Sequence, residues 1–320
     1  MAERLKAGVI GVGHLGKHHA RLLGAMEDVE LVAIADLDQA RAAAAAAASG
    51  ARTTTDYREL FDEVDAVSIA VPTELHHQVA LPFLERGKGV LVEKPMARSV
   101  KEADELIAAA AKTNATLLVG HTERYNPAVA AVWPLVSAPR FIEVHRLGSF
   151  PDRSLDIDVV FDLMIHDLDI ILAMVQSEVA SFEAVGVPVL TPKYDIANVR
   201  LRFANGCIAN VTASRISRER VRKIRFFQPD SYISIDYAEQ EVEGWRLVKR
   251  GDGERPDIQG GRLPVAREEP LKRELVDFVH AVREHRRPLV SGEDGRRALA
   301  LAQQIAERME TVGEVPTAER

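Results

Sequence analysis

The chain has 320 residues, 47% hydrophobic and 28% charged, with a formal net charge of −7. That length supports two domains with their own cores, and the acidic balance excludes general binding to nucleic acid or to an acidic membrane surface. A lone cysteine, Cys207, excludes an internal disulfide and a cysteine-rich metal site. With no apolar run near the roughly 20 residues that span a bilayer, and no room for a signal peptide before the first strand, the expected setting is cytoplasmic.

From residue 5 a short apolar run ends at Ile10, and Gly11, Gly13 and Gly16 follow in G-x-G-x-x-G spacing. A helix is predicted over 18–23. A second apolar run over 31–35 finishes on Asp36, twenty positions past Gly16. Strand, glycine turn, helix, strand and acid in that order form the dinucleotide fingerprint. Gly11 permits the tight turn, Gly13 lets backbone N–H groups approach a pyrophosphate, and Gly16 lets the helix pack closely. His14 and Leu15 complete the loop, and the helix N-terminus faces the phosphates with its partial positive charge. Asp36 is placed to accept from ribose hydroxyls and to repel a 2′-phosphate, so the expected cofactor is NAD.

Alternation of apolar runs with helical stretches continues to residue 127, the pattern of a parallel sheet wrapped by helices. The alanine-rich 39–49 reads as a surface helix and 56–61 as a short helix. Strands are expected over 66–71, 89–92 and 116–119, with helices over 74–86 and 100–112. Three polar loops then fall beyond the strand ends, where such sheets bind ligands. They are Pro72-Thr73 with His76 and His77, Glu93-Lys94-Pro95, and 120–127 with His121, Glu123, Arg124, Tyr125 and Asn126. Lys94 follows a buried strand directly; an ordinary solvated lysine is the alternative. His18-His19 and His76-His77 read as helix-surface pairs, with His76 or His77 able to border the cofactor.

Past Pro127 a strand over 141–147 and a very apolar helix over 159–175 precede a run of strands. Asn205-Gly206 between 198–203 and 207–213 is a hairpin signal. Further strands are expected over 221–227, 232–237 and 245–249, then a polar loop over 252–264 and closing helices over 270–284 and 293–311. The domains are therefore expected to be 1–127 and 128–320, the closing helices free to pack back on the first. On the apolar helix Asp162 and His166 stand four apart and share a face. A structural Asp–His pair or a metal site that includes Asp169 are the alternatives, although no second His or Cys sits at a diagnostic spacing. Arg215, Arg218, Arg220, Arg222, Lys223 and Arg225 read as a solvated sheet edge or subunit contact, or as a phosphate contact.

These phrases carry a resemblance over nearly the whole chain. Gly11-Val-Gly13-His-Leu-Gly16, Pro72-Thr73 with His76, Glu93-Lys94-Pro95, 120–127 and Asp162-x-x-x-His166-Asp167 are similar to the glucose–fructose oxidoreductase / inositol dehydrogenase / MocA family. The resemblance implies an α/β chain: an N-terminal Rossmann domain, then an α/β domain with a large open-faced, mostly antiparallel sheet used for homodimers or homotetramers. It implies hydride transfer between NAD(P) and a sugar or polyol carbon, without a metal. His166 would be the base and Lys94 the partner of the alkoxide, with Asp162 holding substrate or imidazole. Pro72, Thr73, His76, Glu93 and Lys94 would border the cofactor, and His121 to Asn126 the substrate. Within the family, 121–127 and 162–169 are most similar to a branch that oxidises the C3 hydroxyl of UDP-N-acetylglucosamine, feeding an aminotransferase on the way to lipid A. Another sugar or inositol substrate, or a non-catalytic NAD(H) sensor, is the alternative.

Overall fold

The computed structural model describes residues 3–150, 157–248 and 256–311. Two compact units divide the chain: Met1–Tyr125 with Glu269–Leu299, and Asn126–Glu268 with Ala300–Arg320. In the first unit, six strands alternate with helices. They are β1 (Leu5–Ile10), α1 (Gly16–Gly24), β2 (Val29–Ala35), α2 (Gln39–Ala46), β3 (Arg52–Thr54), β4 (Ala66–Ile69), α3 (Thr73–Leu84), β5 (Gly89–Glu93), α4 (Val100–Thr113) and β6 (Leu117–Gly120). All pairs are parallel, in the order β3-β2-β1-β4-β5-β6. The order reverses between β1 and β4, which opens a crevice at the strands' carboxyl ends.

Local chemistry sets the helix starts. Asp38 caps α2 by accepting from the Ala40 and Arg41 N–H groups, and Ser99 caps α4 by accepting from Glu102 N–H. The stretch predicted as a helix over 56–61 is a 3-10 turn at Tyr57–Leu60. Only three residues long, β3 lies at the sheet's edge and carries no periodic signal to read.

The second unit begins with α5 (Pro127–Val132) and β7 (Phe141–Leu147). A π turn at Val160–Met164 then leads into α6 (Ile165–Val175). The strands that follow are β8 (Val179–Val187), β9 (Ile196–Phe203), β10 (Ile208–Ser214), β11 (Val221–Phe227), β12 (Ser231–Asp236), β13 (Glu241–Val248) and β14 (Asp257–Leu263). Asn205-Gly206 makes the expected hairpin, with Gly206 at φ +86°. β14 lies within the stretch read as a polar loop. Its Gly260-Gly261 and exposed edge position suppress the alternation that marks a strand.

Closing the chain are α7 (Pro270–Glu284), in the first unit, and α8 (Gly292–Arg308), followed by β15 (Glu310–Thr311). The nine-stranded sheet runs β14-β13-β12-β11-β7-β10-β9-β8-β15, antiparallel except where β10 meets β7 and β15 meets β8. Its inner face buries Ile142, Val144, Val199, Val211, Ile224 and Ile235. On the other face the register sets Phe141 opposite Phe227, Phe227 opposite Tyr232 and Tyr232 opposite Trp245. The rings of Phe141, Phe227 and Tyr232 lie 5.6 and 5.1 Å apart in succession. Trp245, Leu247 and Ile258 extend that apolar row while still exposed.

Candidate active site

The glycine loop has the shape that a dinucleotide demands. Gly11 sits at φ +83°, where a side chain is strained. A β-carbon at Gly16 would stand 1.8 Å from the Gly11 carbonyl oxygen, so only glycine lets α1 pack there. At Gly13 a β-carbon would meet nothing within 4 Å, while His14 and Leu15 are exposed beside it. That open space over a helix N-terminus fits the pyrophosphate of NAD.

Asp36 closes the crevice. One carboxylate oxygen accepts from Val12 N–H and the other from Asp38 N–H, both at 2.8 Å, which orients the group and leaves lone pairs for hydroxyl donors. Arg41 stands 3.6 Å away. Asp36→Ala is expected to weaken NAD roughly 10–100-fold, the scale of a hydrogen bond to a charged group. NADP should lose less, because the repulsion goes while Arg41 stays. Titration of both cofactors checks this; a wild type that binds NADP more tightly would reverse the role of Asp36.

Beneath the Glu93-Lys94-Pro95 turn lies a polar network that the sequence reading did not place. His19, predicted to be on a helix surface, is buried: Nδ1 lies 2.7 Å from Ser68 Oγ and Nε2 lies 3.1 Å from Glu93 Oε1. Its spacing from Gly16, Ala20 and Leu23 is that of the core face of α1, a signal the adjacent His18 obscures. Burial opposes ionisation of Glu93, but the His19 ring and then the Lys94 charge outweigh it and hold its carboxyl below the usual range. The Glu93 carboxylate also accepts from Lys94 N–H at 3.3 Å. Lys94–Pro95 is cis, and Lys94 itself is half-buried.

His76 is a second correction to the surface reading. It is buried, and its ring nitrogens lie 2.8 Å from the Pro95 carbonyl and 2.9 Å from that of Val71. Burial holds its pKa below the ordinary value even though both carbonyls favour the charged ring. It joins the Pro95 turn to the start of α3, leaving no ring nitrogen for a cofactor. Pro72, exposed, and Thr73, half-buried, occupy the N-terminus of α3, and His77 lies 2.8 Å from Glu105.

The segment after β6 carries the candidate substrate residues. Tyr125 donates its hydroxyl to Asp277 at 2.8 Å, and burial followed by the Asp277 charge raises its pKa. Asn126 caps α5 by accepting from Ala128 N–H and donates to the Tyr237 carbonyl. Tyr125 is thus held by a side chain of α7, and Asn126 by the backbone of its own segment and of Tyr237. Arg124 and His121 are buried; Glu123 is half-buried.

In the second unit, the helix predicted over 159–175 opens with the π turn, where Ile165 N–H reaches back five residues to Val160 O. Such wide turns recur at functional sites. This one carries Asp162, half-buried, and passes directly to His166 in the first turn of α6. Next to His166, Asp167 is fully buried and takes two hydrogen bonds from Arg146 of β7, at 2.6 and 3.0 Å. That pair ties the start of α6 to the sheet.

The basic run separates. Arg215, expected to be with a solvated or phosphate-binding cluster, is buried. It donates to Asp195 at 2.8 Å, to the Ile157 carbonyl at 2.8 Å and to Thr191 Oγ at 3.0 Å. Arg218 and Arg220 precede β11 and are exposed. Lys223 and Arg225 pair with Asp236 and Glu143 on the open sheet face. Burial pushes the Cys207 thiol up to about 11, so it is inert. Among the described residues, no helix is long and apolar enough to cross a membrane.

Comparison with known proteins agrees with this arrangement. Residues 5–121 match the model of the oxidoreductase family with the NAD-binding Rossmann fold, and residues 136–228 match the GFO/IDH/MocA C-terminal domain. A UDP-N-acetylglucosamine 3-dehydrogenase from Acidithiobacillus ferrooxidans is 39% identical over 94% of this chain and 96% of that protein. The solved structure of UDP-N-acetylglucosamine 3-dehydrogenase GnnA from the same organism superposes with a TM-score of 0.89, covering 96% of this chain and 98% of that one at 38% identity. An inositol 2-dehydrogenase from Rhizobium meliloti is 27% identical over 93% of this chain and 94% of its own length. Levoglucosan dehydrogenase in complex with NADH and L-sorbose, at 22% identity and a TM-score of 0.84, covers 95% of this chain and 96% of its own and shares the fold. The two matched domains and the full-length relative lead to one assignment: the chain belongs to the Gfo/Idh/MocA family of NAD-binding oxidoreductases.

Proposed function

We propose that the protein oxidises UDP-N-acetylglucosamine at C3 to the 3-keto sugar. The observation that carries this reading is the similarity over 94% of the chain to a dehydrogenase of that name. NAD, when bound over the Gly11–Gly16 loop, supplies the hydride acceptor. His166 takes the proton of the secondary alcohol, as a base suited to neutral pH. Lys94 faces the developing alkoxide and stabilises it electrostatically. Asp162 orients the imidazole or the substrate hydroxyl, and His121 and Glu123 contact the sugar. A non-catalytic sensor would have no need of this set of proton-transfer residues.

Alcohol oxidation by NAD near neutral pH is unfavourable at equilibrium, so an aminotransferase that consumes the ketone would drive the reaction. The 3-amino sugar so formed would serve lipid A synthesis, and a cytoplasmic setting goes with that reading. The test is incubation with NAD and a panel of nucleotide sugars and polyols, followed by mass detection of the loss of two hydrogens. UDP-N-acetylglucosamine is expected to react and UDP to inhibit competitively. Equal or faster turnover of free inositol or glucose, without inhibition by UDP, would sink the nucleotide-sugar reading.

We also infer that the apolar row from Phe141 to Ile258 is covered by a second copy of the chain, because an exposed, contiguous apolar face marks an interaction surface. A native mass of two or four chains is expected, reduced by Trp245→Glu. A monomeric wild type would reject this assembly.

A further inference from the structure

α7 adds to the first unit a carboxyl group that the reaction as described does not use. Glu274 is fully buried, and one of its carboxylate oxygens, one of Glu93 and a ring nitrogen of His19 all lie within 4.8 Å of one another. We infer that Glu274 is a neutral carboxylic acid that donates its proton to Glu93 and thereby fixes the turn that presents Lys94. This rests on the proposed role of Lys94.

The charges around the group decide its state. Glu93 on β5, His19 on α1 and Asp277 on α7 face it, with the Thr122 hydroxyl and the Tyr125 phenol nearby; Lys94 and His76 lie behind Glu93. His19 and Lys94 offset Glu93. A second ionised carboxylate would be left beside the first in a buried site, where a charge without its own partner is disfavoured. Burial, and then the Glu93 charge, accordingly raise the pKa of Glu274 well above its ordinary value.

A neutral acid has one O–H to give, and we assign it to the Glu93 carboxylate, which shares the 4.8 Å cluster with it. Glu93 already lies 3.1 Å from His19 Nε2 with one oxygen and takes Lys94 N–H at 3.3 Å with the other. A third donor limits rotation of the carboxylate. Packing confines it too, since a β-carbon at Gly120 would fall 3.0 Å from Glu93 Oε2. Glu274 is thus a positioning residue, acting on Lys94 through Glu93. A cation held by the same three residues is the competing account, and a metal assay of the purified protein separates the two.

The test compares Glu274→Gln and Glu274→Leu in the full-length, NAD-loaded protein. Gln keeps a neutral donor, so its kcat and pH profile should stay close to wild type. Leu should lower kcat on the order of tenfold or more and displace the pH profile, with NAD affinity unchanged. Infrared difference spectra at neutral pH should show a deuterium-sensitive carboxylic acid carbonyl band in the wild type that Glu274→Gln removes. Absence of that band, a loss in Gln equal to that in Leu, wild-type kinetics in both, or a stoichiometric metal in the purified protein would each overturn the inference. The infrared band needs no turnover. It therefore decides the state of Glu274 even if Leu does not fold, or if no nucleotide sugar is oxidised and the proposed function fails.

Discussion

Lys94→Ala and His166→Ala are each expected to lower kcat by roughly 10²–10⁴-fold, the range of a general acid–base contribution, while NAD affinity stays near wild type. Lys94 is expected to border the cofactor, but neither residue belongs to the glycine loop or the Asp36 site that hold its pyrophosphate and ribose, which is why most of the binding should survive. Both are proposed to serve one proton transfer: His166 removes the proton and Lys94 stabilises the charge that its removal creates. Loss of either disables the same step, so the double variant should lose far less than the product of the two single losses. Steady-state kinetics of the three variants, with NAD titrated separately, read this directly. Strictly multiplicative losses would mean that the two residues act independently.

Asp195→Ala should produce the largest change in stability. The carboxylate of Asp195 accepts from the Val189, Leu190 and Thr191 N–H groups, from Thr191 Oγ and from Arg215. Its removal strands the Arg215 guanidinium in a buried site, and breaking such a pair costs about 3–5 kcal/mol. A fall of this size in the unfolding free energy, read from a lower urea midpoint at unchanged slope, is the expected result; a loss below about 1 kcal/mol would show the pair to be dispensable. Burial opposes ionisation of Asp195, but the Thr191 and Leu190 N–H groups and then Arg215 outweigh it, and its pKa is lowered. A lowered carboxylate pKa contributes stability that is complete above the unfolded value of about 3.9 and lost as pH falls further. The difference between wild type and Asp195→Ala should therefore shrink in acid.

The parallel sheet was legible because its evidence is local. Each buried strand is a continuous apolar run, and Gly11, Gly13, Gly16 and Asp36 keep a fixed distance from β1 and β2. Glu93, Lys94 and Pro95 could be found because they close such a run. What stayed hidden depends on partners distant in the chain. Arg215 reads as one of six surface cations until Asp195 and the Ile157 carbonyl are brought to it. His76 reads as half of a surface pair until Pro95 and Val71 enclose it. Glu274 left a faint trace: with Leu275 and Phe278 it sits on the inward stripe of α7, a place where a charge is costly. The residue it meets, Glu93, lies on another element.

The wide turn at Val160–Met164 has a further consequence for variation in length. An ordinary helix advances about 100° per residue, and the π turn accommodates one extra residue without breaking the helix. Deleting a single residue there would return the segment to regular winding. α6 and the Arg146–Asp167 tie would remain, but everything before the deletion, Asp162 included, would be turned about 100° around the axis relative to His166. The extra residue sets the phase between two side chains, much as a shim sets the angle between two gears. A deletion at this point would thus uncouple Asp162 from His166 while leaving α6 in place.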